Sequence, residues 1–405
     1  MSGADVIDKD RFDGISMGAV AQTVSVTPAE PGLWERCVRP AHPERSNPRW
    51  HVSPVIDIAA YHFSWVWVLI PMMLVSRDST ILVIYALVLG ANMAHRHYGM
   101  PYAYLDPGVF RSFERKLTYF PEICILLFAA TPLLLSLKGN AAIAGKAVAA
   151  IVFFAALWNI WHTLMQKFGI MRLYRAKDPA AVQERTPGWI DKYLILCWLP
   201  LYLTYAGPKY KDLILANGGQ VQGAVSALAS FMEKFGSWLV LPSVLIAAGG
   251  VGLWLLNEWR AQRFQNRARL SAALGTTLIS TALLWANPVE AYIAFGFSHD
   301  VEYMVFVWAF QRRRYCRPQP APTVIERLIR YPKAWYLCFT LLFAAVGFIT
   351  TVWGRLIMKD ARPIVLFGMA GSLWVFYYAV YESLVHFYMD GFLWKMRSPE
   401  VRANI

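Results

Sequence analysis

The chain has 405 residues, 57% of them hydrophobic and 16% charged, with a formal net charge of +13 at pH 7. Soluble domains run nearer ~45–50% apolar and ~25% charged, and here the excess is gathered into long apolar runs, which excludes an ordinary soluble core and points to a polytopic membrane protein. The positive charge reads as loops held on the cytoplasmic side, not as a nucleic-acid surface, and five scattered cysteines without a CxxC spacing exclude a disulfide framework and a zinc knuckle.

Residues 1–53 form a polar, proline-punctuated arm. It lacks an apolar h-region, so no cleavable leader is expected and the first membrane helix would direct targeting. His42 and His51 lie in this arm and read as solvated loop residues. Ten apolar segments follow, near 54–75, 80–97, 117–137, 147–164, 189–206, 237–256, 270–286, 289–310, 335–354 and 363–390. Each has the length that crosses a bilayer, about 17–25 residues. They predict an all-α fold, a ten-helix transmembrane bundle over 54–390, with a cytoplasmic tail at 391–405. The seventh and eighth meet at Asn287-Pro288, a tight connection. The stretch 218–235 is too polar to span and is expected to lie on the surface as an amphipathic helix.

The basic residues set the orientation. With residue 1 in the cytoplasm, the cytoplasmic segments carry 29 Lys and Arg and the opposite loops carry 9. This asymmetry predicts a multi-pass protein of a bacterial-type inner membrane with both termini inside. The run Arg312, Arg313, Arg314 belongs to that inside charge. It would also attract anionic headgroups or an acidic electron donor.

Six histidines belong to the apolar segments: His62, His95, His97, His162, His299 and His386. Even-numbered spans end in the cytoplasm, so all six fall in the cytoplasmic half. Polar neighbours share their faces at helical spacing. Asn92 accompanies His95. Asn159 and Gln166 accompany His162. Glu302 and Tyr303 accompany His299, and Glu382, His386 and Asp390 form one face. Ionisable groups in hydrocarbon cost a few kcal/mol each and therefore turn inward and pair. One cation satisfies several imidazoles and carboxylates together. The expected ligands are His62, His95, His97, His162, His299, Glu382 and His386. Glu302, Asn159 and Tyr303 are the expected catalytic or oxygen-handling groups. Asp390 caps the helix end or orients a ligand. His95 and His97, two residues apart, diverge by about 200° on a helix, so both serve one centre only if the helix unwinds before Gly99 and Pro101. The structural alternative is a polar network that fixes helix packing.

Imidazole with carboxylate and no thiolate suits non-haem iron, with zinc or manganese as other fits. Iron at a membrane site implies oxygen chemistry on a hydrophobic substrate. The motifs HRH at 95–97, NIWH at 159–162, HDVE at 299–302 and ESLVH at 382–386 resemble those of the integral-membrane histidine-motif iron oxygenases, the class of lipid desaturases, hydroxylases and membrane carotenoid-cleaving enzymes. The HxxxH and HxxHH boxes of desaturases are absent. That leaves one iron or a carboxylate-rich pair. The resemblance implies oxygen-dependent hydroxylation, desaturation or cleavage of a lipid or isoprenoid, with electrons from a cytosolic donor such as a ferredoxin. The alternatives are a haem-binding redox protein and a transporter with a polar cluster.

Overall fold

The computed structural model describes residues 49–75, 78–136, 141–178, 187–207, 222–315, 323–329, 334–347, 365–366, 369–395, 398, 401 and 403–404. The arm before residue 49 with His42, the expected span beyond 347 and much of the C-terminal tail lie outside the described residues. Within them the fold is all-α, apart from a two-residue hairpin, β1 (Val365–Leu366) antiparallel to β2 (Met369–Ala370).

Ser53 starts the first helix, its hydroxyl accepting from the Ile56 amide, with Pro54 in the first turn. Helix α1 (Pro54–His62) widens into a π turn over Asp57–His62, and α2 (Val66–Leu74) leaves it at 59°. The expected straight span 54–75 is therefore broken. The break lies against α10 (Arg267–Trp285), where a Cβ on Gly275 would stand 2.3 Å from the His62 carbonyl oxygen. Only a glycine lets the two backbones approach this closely.

Helix α3 (Asp78–Tyr98) and α4 (Met100–Leu105) are followed by α5 (Pro107–Ser136), kinked at Phe113. Next come α6 (Ala141–Ala176), α7 (Trp189–Leu196) and α8, which runs from Leu199–Leu201 into a π turn at Tyr202–Ala206. Helix α9 (Gln222–Arg260) has 39 residues and absorbs most of the stretch expected as a separate surface helix. Nothing between 222 and 242 stops a helix, and Pro242 is carried inside it. Asn287 divides α10 from α11 (Pro288–Tyr315), as the tight connection predicts. The last elements are α12 (Val324–Ile329), α13 (Ala334–Gly347) and α14 (Gly371–Leu393).

Helix α11 is the axis of the bundle, packing on α1, α2 and α3, while α14 packs on α3, α5 and α6. The buried face of α11 is unusually polar: Ser298, His299, Asp300, Glu302 and Gln311 are all buried. Meanwhile Trp67, Leu87, Leu126, Leu157, Leu245, Trp285 and Leu341 are exposed on outward faces. Glu233–Arg260 is the one described helix long and apolar enough to cross a membrane by length and composition, and the α1–α2 pair joins it only if counted as one bent span. The expected count of ten spans goes beyond this.

The turn between α9 and α10 is tied by a buried ion network. Arg269, 1% exposed, donates to Glu258 at 2.9 and 3.0 Å and to Asp191 at 3.3 Å. Arg263 donates to Glu258 at 2.8 Å, and Trp254 donates to Asp191 at 3.1 Å. Every buried charge here has partners, which is the condition for tolerating it.

Candidate metal centre

Four helices each turn one histidine inward: α3 supplies His95, α6 His162, α11 His299 and α14 His386. Their ring centroids form a closed circuit. His95 lies 5.0 Å from His299 and 4.8 Å from His386, and His162 lies 5.0 Å from His299 and 5.1 Å from His386. His299 and His386 face each other across it at 6.4 Å. His95, His299 and His386 offer ligand atoms within 4.8 Å of one another, and so do His162, His386 and Asp390. These clusters could hold a metal ion.

The nitrogens are deeply enclosed and unpaired. His386 is 0% exposed, His95 1% and His299 3%. Both ring nitrogens of His95, of His299 and of His386, and Nε2 of His162, have no hydrogen-bond partner among the described residues. An unsatisfied buried polar group costs roughly 1–3 kcal/mol. One cation would satisfy several such atoms on neighbouring rings at once.

Two carboxylates complete the arrangement. Asp300 lies 2.8 Å from His95 Nδ1 and receives the Asn92 amide at 3.1 Å. Asp390 Oδ2 stands 3.6 Å from Nε2 of both His162 and His386. Its Oδ1 accepts from Tyr303 Oη and Trp394 Nε1, each at 2.9 Å. Tyr303 is seated against α3's end, where a Cβ on Gly99 would lie 2.6 Å from its hydroxyl. The sequence motifs passed over Asp300 beside His299 and gave Asp390 only a capping or orienting part. The spacing of Asn92, His95 and Asp300 across two helices has no one-dimensional signature.

Other expected site residues are placed elsewhere. His62 contacts Ser271 at 2.8 Å and Tyr174 at 3.1 Å, so both ring nitrogens are engaged away from the circuit. Its neighbour Asp57 receives the Tyr174 hydroxyl and the amides of His51, Val52 and Ser53, a turn-locking cap. His97 points off the far side of α3, as its 200° offset from His95 requires. It contacts Met93's carbonyl at 2.7 Å, stacks on Phe343 and lies 3.0 Å from Glu382. Glu382 thus lies beside His97, with Arg96 at 3.8 Å, and neither of its oxygens has a hydrogen-bond partner among the described residues. Glu302 is bound by Lys167, by Ser298 at 2.7 Å and by Gln166 at 3.2 Å. Asn159 is half-buried on α6, one turn before His162.

Beside the circuit lies a cavity of about 320 Å³ lined by His162, Asp390, Tyr303, Glu302 and Gln166 and by the apolar walls of Trp158, Trp161, Met165, Ile170, Leu173, Phe306, Phe387 and Trp394. An apolar chamber with a few converging polar groups is the usual form of a small-ligand site. No family model matches this chain, and no curated protein or solved structure matches it significantly.

Proposed function

We propose that the chain is a membrane-embedded non-haem iron oxygenase that hydroxylates, desaturates or cleaves a lipid or isoprenoid. The observation that carries this reading is the set of four inward histidines, with unpaired buried nitrogens, bordering an apolar cavity. Imidazole and carboxylate donors without thiolate favour iron over softer-ligand metals. Of the described cysteines, Cys124, Cys197 and Cys338 are free and none belongs to the cluster.

A bilayer is favoured by the inverted distribution of side chains. Large apolar groups such as Trp67 and Leu245 stand exposed on outward faces, while charged groups such as Arg269, Glu258 and Asp300 are buried beside the apolar core. Exposed apolar surface of that extent needs a nonaqueous partner. With the sequence asymmetry of Lys and Arg, this supports ten spans in an inner membrane with both termini cytoplasmic.

Bound iron would supply the activation of oxygen. The chain's residues do the rest. His95, His162, His299 and His386 hold the ion, and Asp300 orients His95. Tyr303 and Trp394 fix Asp390 on the cavity side. The aromatic walls bind the substrate chain and exclude water. Gln166 is held in place by the His299 carbonyl at 2.8 Å and by Glu302. Electrons come from a cytosolic donor such as a ferredoxin. A haem is disfavoured sterically. His95 and His162, each about 5 Å from both His299 and His386, crowd the space a flat macrocycle would need between those two rings.

The test is elemental analysis and an absorption spectrum on the full-length protein purified in detergent, with oxygen uptake after reduction. Iron without a Soret band, together with oxygen uptake, is the expected result. A Soret band, or no metal after anaerobic iron loading, overturns the proposal.

A further inference from the structure

We propose that the cavity beside the histidines takes a neutral, single-chain alcohol, whose hydroxyl donates to Gln166 and whose chain enters between α6 and α14. This names the substrate class within the oxygenase reading, on which only the oxidation of the bound alcohol depends.

Size and access set the shape of the ligand. The chamber holds about 320 Å³, the lower end of the ~300–1,000 Å³ range of small-ligand sites. That is room for one chain and not for a two-chain phospholipid. Its walls come from α6, α11 and α14. Two lining residues, Trp161 on α6 and Gly391 on α14, are exposed, so the chamber reaches the outer surface between these helices. In a bilayer that opening meets lipid, and an apolar chain enters from the side. Gly169 lines the chamber one turn beyond Gln166 and two beyond His162, on the same face of α6. A Cβ there would meet nothing within 4 Å, so the wall at this point is open space.

The polar lining is short of free donors. Tyr303 Oη and Trp394 Nε1 both donate to Asp390 Oδ1 at 2.9 Å. Gln166 Nε2 donates to the His299 carbonyl at 2.8 Å and to Glu302 at 3.2 Å. With its amide hydrogens spent on two protein acceptors, the Gln166 side chain is left with an acceptor only. That atom, Oε1, is buried and has no hydrogen-bond partner among the described residues. A buried acceptor without a donor costs free energy, and a ligand hydroxyl restores it.

Charge selects among end groups. Two carboxylates, Asp390 and Glu302, line the chamber, and no lysine or arginine does among the described residues. A fatty-acid carboxylate or a phosphate brings negative charge and more acceptors to a place that wants a donor. An ammonium competes with the ion for Asp390. A hydrocarbon leaves Gln166 Oε1 unmet. An alcohol supplies one donor and no charge.

The experiment uses the full-length protein in detergent, kept anaerobic, with iron measured on the same sample. The probes are a medium-chain ω-bromo alcohol and the matching carboxylate, amine and bromoalkane. Bromine quenches tryptophan, and Trp158, Trp161 and Trp394 wall the cavity. The alcohol should quench saturably and bind roughly 5-fold more tightly than the bromoalkane, the worth of one net hydrogen bond. It should bind at least ~10-fold more tightly than the carboxylate. Gln166→Leu should bring the alcohol and bromoalkane affinities together. Gly169→Phe should fill the open wall and abolish saturable quenching without lowering Tm, phenylalanine being the better helix former. A carboxylate or amine that binds as tightly as the alcohol, or a Gln166→Leu variant that keeps the preference over the bromoalkane, overturns the alcohol assignment. Saturable binding that survives Gly169→Phe overturns the site. No saturable binding by the unaltered protein overturns this inference alone, while iron content and oxygen uptake still decide the oxygenase reading. Saturable alcohol binding in a protein that takes up no iron supports the alcohol site and removes only the oxidation.

Discussion

Replacing His386 by alanine separates a metal centre from a packing network by the sign of a stability change. His386 is fully buried and belongs to both groups of candidate ligands. Removing a buried ring leaves a void worth roughly 2–5 kcal/mol of destabilisation. Neither of its ring nitrogens has a hydrogen-bond partner among the described residues. Relieving them returns about 2–6 kcal/mol, at roughly 1–3 kcal/mol per unsatisfied group. The two nearly cancel, so metal-free His386→Ala should lie within about 2 kcal/mol of the metal-free parent. With the ion the balance changes. A ligand present at ~100 times its dissociation constant adds about 2.7 kcal/mol to the folded state. That increment should vanish in the variant. The assay is thermal unfolding of both proteins in detergent, with chelator and with Fe²⁺. The parent should gain several degrees in Tm from iron, and the variant none. A parent indifferent to metal, with a variant strongly destabilised under chelator, would refute the metal reasoning and leave the histidines as structural.

Asp300→Asn should weaken iron binding ~10–100-fold without removing it, measured by competition with a calibrated chelator, because a second-sphere carboxylate orients rather than ligates. An unchanged affinity would mean that His95 is oriented by other contacts. Arg269→Met leaves Glu258 and Asp191 buried without their main cation and should cost ~3–5 kcal/mol of stability by denaturant titration. The iron content of its surviving folded fraction should stay near the parent's. Asp106 sits between α4 and α5 and caps α5 by accepting from the Gly108 and Val109 amides at 2.9 and 3.1 Å. Burial pushes its carboxyl up, but hydrogen bonds from Tyr315 and Arg314 outweigh that and hold it below the ordinary value of 3.8. A depressed carboxyl stabilises the folded state above the unfolded value and loses that contribution as pH falls through the folded one. Asp106→Asn should therefore cost ~1–2 kcal/mol near neutrality and flatten the acid limb of the stability profile below pH ~4. A variant with the parent's acid limb would show that Asp106 does not supply it.

The sequence by itself determined the helical class, the places of most helices and the candidate chemistry. Apolar run length marks α3, α10, α11 and α14 directly, and Asn287-Pro288 cannot continue a helix. The four histidines that meet were all on the expected ligand set, since ionisable groups in apolar helices must turn inward. Only the tertiary structure decided which of them meet. His62 and His95 look alike in one dimension. The π turn and the contact with Gly275 carry His62 toward Ser271 and Tyr174, while α3 delivers His95 to Asp300. His97 is removed by helical phase, two residues being far from a full turn. The parts of Asp300 and Asp390 were not legible, because a carboxylate's role depends on which helix it faces. Helical periodicity fixes the face a residue shares with its own neighbours, and crossing geometry fixes what stands opposite.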